Sequence, residues 1–190
     1  MYWNKMKITK LNKAEKALVG MAVPKQENGN VGRLTDAVME DNGYVLNYGS
    51  GPDIPEFGIE KKTKGLESTS PYTIGSMTYR DIMKYSYDES PMKDKLQTCF
   101  IIEHNQIFME IINAGVYDYT KDSIQEIIRY AYNSGREKVI PGSTYARGNN
   151  AWAYFEYKDS NSWLFRIPVN NMKKLMGMAR SNFESLFDDA

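Results

Sequence analysis

The sequence predicts a mixed α/β domain, of the kind also described as α+β. Amphipathic segments with helical spacing alternate with short apolar or alternating runs that are typical of strands, and the two kinds follow no repeating order. With 190 residues, of which 42% are hydrophobic and 25% charged, the chain has the size and composition of one globular domain. We therefore expect a single domain spanning residues 1–190.

Two helices are predicted in the first fifty residues. Residues 11–22 place apolar side chains three and four residues apart, and Asn12 is the candidate N-cap of this helix. A second helix begins at Asn30 and ends at the Asn42-Gly43 pair, which is typical of a helix terminus. Its predicted apolar face consists of Val31, Leu34 and Val38.

Strands are predicted where apolar residues run together or alternate with polar ones between turn residues. The predicted strands are residues 44–49, 56–63, 95–104, 107–118, 152–158 and 162–169. The last two form a hairpin around residues 159–161, and a turn is expected at residues 104–106. Residues 65–76 are predicted to be a loop.

The remaining helices are predicted from helical spacing and from capping residues. Residues 77–87 form a short helix, and residues 170–187 form an amphipathic one. Residues 121–135 form a third helix, which Thr120 caps and Gly135 closes.

Composition excludes several classes of protein. Cys99 is the one cysteine, so disulfide frameworks and cysteine-based zinc clusters are excluded, and its apolar surroundings predict a buried, inert thiol. No apolar run reaches the length of a membrane span, and the N-terminus lacks the apolar core of a signal peptide. We expect a cytoplasmic protein with no membrane partner.

Charge is unevenly distributed although the net charge is zero. Zero net charge disfavours a purely electrostatic nucleic-acid binder. Residues 1–28, however, are rich in lysine, which indicates a small N-terminal helical lobe that either meets phosphate or is a solvated surface. Within residues 1–25 the lysines are Lys5, Lys7, Lys10, Lys13, Lys16 and Lys25, against Glu15 as the single acidic residue.

The segment GPDIPEFGIEKKTKG, residues 51–65, contains the principal candidate site. Alternation along a strand places Glu60 and Lys62 on one face, and Asp53 enters from the preceding turn. The carboxylates of Asp53 and Glu60, with the Ile59 carbonyl, are hard oxygen ligands suited to Mg²⁺. Lys62 beside such a metal would orient the attacking water and stabilise phosphate charge, whereas on an ordinary surface strand it would only balance Glu60.

This segment resembles the active site of the PD-(D/E)XK nuclease superfamily. It is most similar to the branch that contains the nicking endonuclease MutH and the Sau3AI-type and MvaI/BcnI-type restriction enzymes, in which a proline-flanked aspartate precedes a "pElGiElKT" strand. Asp53, Glu60 and Lys62 match that spacing. The resemblance implies a restriction-endonuclease-like mixed β-sheet flanked by helices and a Mg²⁺-dependent, sequence-specific endonuclease, for which Mn²⁺ could substitute.

Two further segments resemble the same branch in the same order. GNVGRLTDAV, residues 29–38, is similar to a helix whose acidic residue helps to organise the metal site, and Asp36 matches it. SPMKDKLQTCFII, residues 90–102, is similar to a segment carrying an active-site lysine in a strand, and Lys95 matches it. Asp36 replaces the usual glutamate, with Glu40 as the alternative helix carboxylate, and Lys61 stands where the family has an aliphatic residue.

DNA-reading residues are predicted in the polar, glycine-containing segment at residues 141–152. Arginine can bond a guanine edge and asparagine an adenine edge, so the candidate contacts there are Tyr145, Arg147, Asn149 and Asn150. The segment is equally typical of an ordinary surface loop. His104 is a further candidate contact, or a turn residue.

The predicted function is therefore hydrolysis of phosphodiester bonds in double-stranded DNA by a type II restriction enzyme or a MutH-like nicking enzyme. The alternatives are a phage or repair nuclease of the same fold and a catalytically inactive DNA-binding domain. We expect a monomer or weak dimer, which could work beside a partner subunit or a methyltransferase.

Overall fold

The mixed α/β class predicted from the sequence is confirmed by a computed structural model of the chain, which contains helices, a mixed sheet and an antiparallel sheet. The structure describes residues 16–22, 30–49, 51–105, 110–150, 152–159 and 161–184. Most of the predicted lysine-rich lobe at residues 1–28 lies outside these residues, as does most of the helix predicted at 11–22, of which residues 16–18 are helical.

The helices and strands have the following bounds. The helices are α1 (Asn30–Asp41), α2 (Tyr79–Lys84), α3 (Pro91–Lys95), α4 (Asp122–Arg136) and α5 (Val169–Glu184), with 3₁₀ turns at Pro55–Phe57 and Tyr87–Glu89. The strands are β1 (Ile59–Gly65), β2 (Tyr72–Thr78), β3 (Thr98–Asn105), β4 (Glu110–Asp118), β5 (Tyr145–Arg147), β6 (Tyr154–Asp159) and β7 (Ser162–Ile167).

The chain divides into two compact units. The first comprises the described residues within Met1–Ser68 and Thr98–Tyr117, and the second those within Thr69–Gln97 and Asp118–Ala190. The first unit therefore contains the Asp53, Glu60 and Lys62 segment, and the second contains the predicted DNA-reading segment.

The sheet of the first unit has the order β1-β3-β4. β1 runs parallel to β3 and pairs Glu60 with Cys99 and Lys62 with Ile101. The central strand β3 is buried from Cys99 to Glu103, as expected for a strand covered on both faces. Cys99 is fully buried, which confirms its predicted burial.

Helix α1 has the predicted bounds, but its most buried face is shifted along the helix. Thr35 and Met39 are fully buried and Val38 is mostly buried, whereas the predicted face residues Val31 and Leu34 are only half-buried. The helix ends as the sequence predicts, because the Asn42 side chain donates to the Val38 carbonyl and Gly43 adopts a positive φ of 82°.

The second unit is built on an antiparallel sheet with the order β2-β7-β6-β5. The predicted hairpin corresponds to β6 and β7. Tyr132 of α4 packs edge-on against Phe155 and Phe165 of these strands, with ring centroids 5.1 and 5.3 Å apart. This aromatic cluster joins helix α4 to the inner face of the sheet.

A buried glutamine ties the connections of the second unit to α4. The Gln125 amide donates to the Leu96 and Tyr119 carbonyls at 2.9 and 2.7 Å, and its oxygen accepts from the Tyr87 hydroxyl at 3.1 Å. All of its hydrogen-bonding groups except one acceptor site are thus occupied, which is what makes a buried amide tolerable.

Several sequence predictions of local structure are wrong. Residues 44–49 form no strand, because the Asn47 side chain accepts from Gly49 N–H and the Asn47 N–H donates to the Asp53 carbonyl, which satisfies this backbone in turns. The loop predicted at residues 65–76 ends earlier, because Tyr72–Thr78 pairs with β7 as strand β2. The loop predicted at residues 141–152 contains the short strand β5, which pairs with β6.

The predicted cap of α4 is also wrong. The Thr120 hydroxyl and N–H both donate to Asp118 Oδ1, at 2.7 and 2.9 Å, so the threonine closes a turn instead of capping the helix. The helix begins at Asp122 with Lys121 at the cap position and no side-chain cap bond.

No helix among the described residues combines the length and the apolar character needed to cross a membrane.

We predict opposite effects on stability for two glycine substitutions in the second unit. A Cβ on Gly148 would lie 2.8 Å from the Ala131 carbonyl oxygen and 3.0 Å from the Gly135 nitrogen, so Gly148→Ala should destabilise the fold by about 1–3 kcal/mol. A Cβ on Gly177 in helix α5 meets nothing within 4 Å, so Gly177→Ala should stabilise it by about 1 kcal/mol. Urea unfolding of both variants measures the two changes, and equal effects would contradict the close approach at Gly148.

Candidate active site

The outer edge of β1 is closed by the residues that precede it. Ile54 and Ile59 exchange two backbone hydrogen bonds, in which the Ile59 carbonyl accepts at 2.8 Å and the Ile59 N–H donates at 3.1 Å. Two residues after Ile59, the Lys61 N–H donates to Asp53 Oδ2 at 2.7 Å. The carboxylate of Asp53 is therefore held against the edge of β1, one residue from Glu60 and Lys62.

The Ile59 carbonyl, which the sequence suggests as a metal ligand, already accepts this hydrogen bond from Ile54. A carbonyl oxygen has two lone pairs, so one acceptor site is committed to the fold. The candidate metal ligands that come from side chains are Asp53 and Glu60.

Glu60 and Lys62 form an ion pair on one face of β1. Lys62 Nζ lies 2.7 Å from Glu60 Oε1. The Lys62 side chain is 18% exposed and the Glu60 side chain is 3% exposed. Removing a carboxylate from water is costly unless a cation and hydrogen bonds compensate, and Lys62 supplies that cation. The strand thus carries a buried glutamate paired with a partly buried lysine two positions further on.

Lys61 points to the other face and joins β1 to helix α1. Its ammonium donates to the Gly32 carbonyl and the Thr35 hydroxyl, each at 2.9 Å, and to Asp36 Oδ1. The Lys61 side chain is only 9% exposed and Asp36 is 23% exposed. The three acceptors match the three donors of a lysine ammonium, which explains how a lysine can be nearly buried at this position.

Asp36, predicted to assist the metal site, is therefore engaged by Lys61. The alternative helix carboxylate, Glu40, is exposed and accepts from the Tyr48 hydroxyl at 2.9 Å. This hydrogen bond to Glu40 raises the pKa of Tyr48 above its usual value.

A polar group that sequence reasoning missed lies on the neighbouring strands. Lys64 of β1 pairs with Glu103 of β3, and Glu103 is 9% exposed and accepts from the Asn113 amide of β4 at 3.0 Å. Strand alternation places Lys64 on the same face as Glu60 and Lys62. The signal in the sequence is the single acid Glu103, which follows the apolar run TCFII. A strand prediction treats such an acid only as the end of the strand.

Lys95 is not in a strand, contrary to the prediction. It is the last residue of helix α3, in the second unit, and β3 begins three residues later at Thr98. Pro91 at the first helical position favours a helical turn over residues 91–95, which overrides the apolar pattern that follows.

In the predicted DNA-reading segment, Arg147 and Tyr145 are exposed side chains of β5. The Arg147 guanidinium stacks on the Tyr154 ring, 4.7 Å from its centroid, and Tyr145 contacts the same ring edge-on at 6.0 Å. The segment thus presents an exposed arginine whose guanidinium lies over a tyrosine ring.

The two asparagines of this segment have structural partners. The Asn150 amide donates to the Ile127 carbonyl and its oxygen accepts from Trp152 N–H, each at 3.2 Å. Asn149 Oδ1 accepts from Lys138 Nζ at 3.2 Å. These bonds attach the segment to the helix and turn beside it.

His104 lies within β3 and not in the predicted turn. Its carbonyl accepts from Leu66 N–H at 2.9 Å. Partial burial lowers the pKa of His104 below its usual value, and the charge of Glu67 and a backbone hydrogen bond with Asn105 offset that effect only in part. Burial therefore favours the neutral imidazole.

No protein-family model matches this chain, and no curated protein matches it significantly. Within the described residues, no group of three or more histidine, cysteine, aspartate or glutamate side chains is placed to hold a metal ion. The donor set at β1 consists of two carboxylates and, at most, backbone oxygen, which is the kind of set that Mg²⁺ accepts because it keeps several waters.

We predict that Lys61 and Asp36 stabilise the first unit as a coupled pair. Lys61→Met should destabilise the fold by about 3 kcal/mol, because it leaves the Asp36 carboxylate and the Thr35 and Gly32 acceptors without the ammonium. Asp36→Asn should cost less, since the amide oxygen can still accept. A double-mutant cycle by urea unfolding should give a coupling energy of about 1 kcal/mol or more, and additive effects would contradict the contact.

We predict that protonation of His104 opposes folding. Its pKa is lower in the folded chain than the usual value of about 6.5, so the unfolded chain binds the proton first and stability falls as the pH drops from about 6.5 to the folded pKa. Because the chain has one histidine, its imidazole NMR signals report that pKa directly. In the control His104→Gln, this part of the pH dependence of unfolding should disappear; a measured pKa above 6.5 would contradict the burial argument.

Proposed function

We propose that this chain is a Mg²⁺-dependent endonuclease that hydrolyses phosphodiester bonds of double-stranded DNA. The observation that carries the proposal is the ion pair on β1 between the buried Glu60 and the partly buried Lys62, with the Asp53 carboxylate bonded to the backbone between them. An apolar strand face would serve packing better, since buried ion pairs add little net stability. The resemblance of the segment to PD-(D/E)XK nucleases gives this pair a chemical role.

Asp53 and Glu60 are the residues that would hold the metal. Both supply the hard carboxylate oxygens that Mg²⁺ prefers, and Mn²⁺ takes the same ligands. When bound, the metal would lower the pKa of an attacking water and neutralise phosphate charge.

Lys62 is the proposed electrostatic catalyst. In the hydrolysis, a water oxygen forms a new bond to phosphorus while one bridging phosphorus–oxygen bond breaks, which leaves a phosphate monoester and a hydroxyl. Negative charge builds on the phosphate oxygens during this step, and the Lys62 ammonium, fixed by Glu60, is positioned to stabilise it and to orient the water.

Asp36 is proposed to be a positioning residue. It contacts Lys61, whose own N–H is bonded to Asp53, so it supports the site through the backbone of β1. The resemblance assigns Lys95 an assisting role; this assignment stays a prediction.

Sequence recognition is proposed for the second unit. Arg147 is exposed and stacked on Tyr154, an arrangement that pre-orients a guanidinium for a bidentate contact with guanine. Tyr145 is the next exposed candidate, whereas the bonds of Asn149 and Asn150 favour a supporting role in the same segment. A sequence-specific reader of this kind suits a type II restriction enzyme or a MutH-like nicking enzyme.

We predict that Lys62→Ala abolishes cleavage but leaves DNA binding largely intact. Losing an electrostatic catalytic group typically costs on the order of 10²–10³ in rate. Plasmid cleavage with Mg²⁺, read as nicked or linear product, measures the rate, and filter binding without metal measures affinity. Lys64→Ala is the matched control, because Lys64 lies on the same strand face and should keep the activity.

The double variant Asp53→Asn, Glu60→Gln tests the metal ligands, both in the cleavage assay and by calorimetry. Calorimetric titration with Mn²⁺ should show a metal site in the native chain and none in the double variant. Unchanged cleavage by Lys62→Ala would remove the role given to that lysine. A native chain that binds DNA but cuts no sequence with either metal would favour the inactive DNA-binding domain instead.

A further inference from the structure

A pocket of about 450 Å³ lies in the second unit, within residues of that unit alone. Its walls include Tyr79 at the start of α2, Tyr157 of β6 and Trp163 of β7. The volume falls in the range of small-molecule sites, which are mostly apolar with a few polar groups.

Backbone hydrogen bonds hold the walls in place. Tyr157 N–H donates to the Thr144 carbonyl at 2.9 Å, which attaches the segment before β5 to β6. Tyr79 N–H donates to the Asn161 carbonyl at 3.3 Å, which attaches α2 to the β6–β7 turn.

The segment at Pro141–Thr144 is held in a turn by Ser143. The Ser143 N–H donates to the Ile140 carbonyl, and the Ser143 hydroxyl donates to the Tyr145 carbonyl. The pocket is therefore preformed.

Of the two aromatic side chains from β6 and β7 in the pocket wall, Tyr157 offers an exposed surface for stacking and Trp163 supports it. Tyr157 and Trp163 meet edge-on, with ring centroids 5.5 Å apart and planes 73° apart. Trp163 is 2% exposed and forms the buried part of the pair, whereas Tyr157 is 42% exposed. A planar ligand that stacked on Tyr157 would cover this exposed area.

The rim adds polar groups at exposed positions. Thr144 contributes a hydroxyl, and Asn161 contributes a carboxamide with one donor side and one acceptor side. A carboxamide pairs with a neighbouring amino group and ring nitrogen on a planar heterocycle.

We propose that this pocket binds a nucleobase bearing an amino group next to a ring nitrogen, such as adenine, in an unpaired state. Inside a duplex neither face of a base is accessible, so a base in this pocket must come from a single strand, from an extruded position or from a free nucleotide. The inference rests on the proposed function for its choice of DNA as the source of the base, but it needs no cleavage chemistry.

Oligonucleotides containing 2-aminopurine test the proposal, because this fluorescent base carries the same donor–acceptor pair and is quenched when it stacks on an aromatic ring. We expect the native chain to quench 2-aminopurine in a short single strand, with fluorescence anisotropy reporting binding. Tyr157→Ala should bind the strand at least about tenfold more weakly and lose the quenching, because stacking on one aromatic ring contributes that much. Tyr157→Phe should restore both, since it keeps the ring.

Tyr130→Ala is the matched control, because Tyr130 is an exposed tyrosine of the same unit outside the pocket, and it should behave as the native chain does. Quenching by a duplex with central 2-aminopurine would identify an extruded base as the source. Competition by dAMP without binding of the strand would identify a free nucleotide. Tyr157→Ala with native affinity and quenching, or no quenching by the native chain with any of these probes, would overturn the proposal.

The same measurements on Lys62→Ala separate the two proposals. If quenching depends on Tyr157 but the native chain never cuts DNA, the nucleobase pocket is supported and the proposed nuclease activity is contradicted. If cleavage depends on Lys62 but no quenching occurs, the nuclease activity is supported and the nucleobase pocket is contradicted.

Discussion

The candidate site depends on one constraint, which is that the backbone groups along the outer edge of β1 must find hydrogen-bond partners. β1 lies at the end of its sheet order, so β3 satisfies only the groups on one side. Ile54 pairs with Ile59, and the Asp53 carboxylate accepts from Lys61 N–H. Closing the edge therefore also brings Asp53 beside Glu60 and Lys62, so that fold and site share the same bonds.

Two adjacent lysines have different surroundings because a strand alternates its faces. Lys61 turns toward helix α1 and is satisfied by a carbonyl, a hydroxyl and the Asp36 carboxylate. Lys62 turns to the other face, where its ammonium pairs with the Glu60 carboxylate. The first arrangement anchors the helix to the strand, and the second places the acid and the ammonium together on the face that β1 shares with the buried Cys99 and Ile101 of β3.

The second unit separates packing from surface chemistry in a similar way. Tyr132, Phe155 and Phe165 form the aromatic contacts beneath the sheet, while Gln125 satisfies the carbonyls of the connecting segments. With these interior contacts in place, Arg147 and Tyr157 remain at the surface on rigid strands. Because the backbone of a paired strand is already ordered, binding there costs ordering of the side chains alone, which favours recognition.

The sequence by itself determined the mixed α/β class, the bounds of α1, the β6–β7 hairpin and the shared face of Glu60 and Lys62, because these follow from local periodicity and capping. Tertiary structure decided where local signals were weak or ambiguous. β2 and β5 form only because β7 and β6 supply their hydrogen-bond partners, and residues 44–49 lost their predicted strand because Asn47 satisfies that backbone locally. Helix α1 determined the partner of Lys61, a residue that periodicity alone would assign to an apolar face. Pairing between distant segments and the solvation of buried charge are properties of the folded chain, and no short stretch of sequence encodes them.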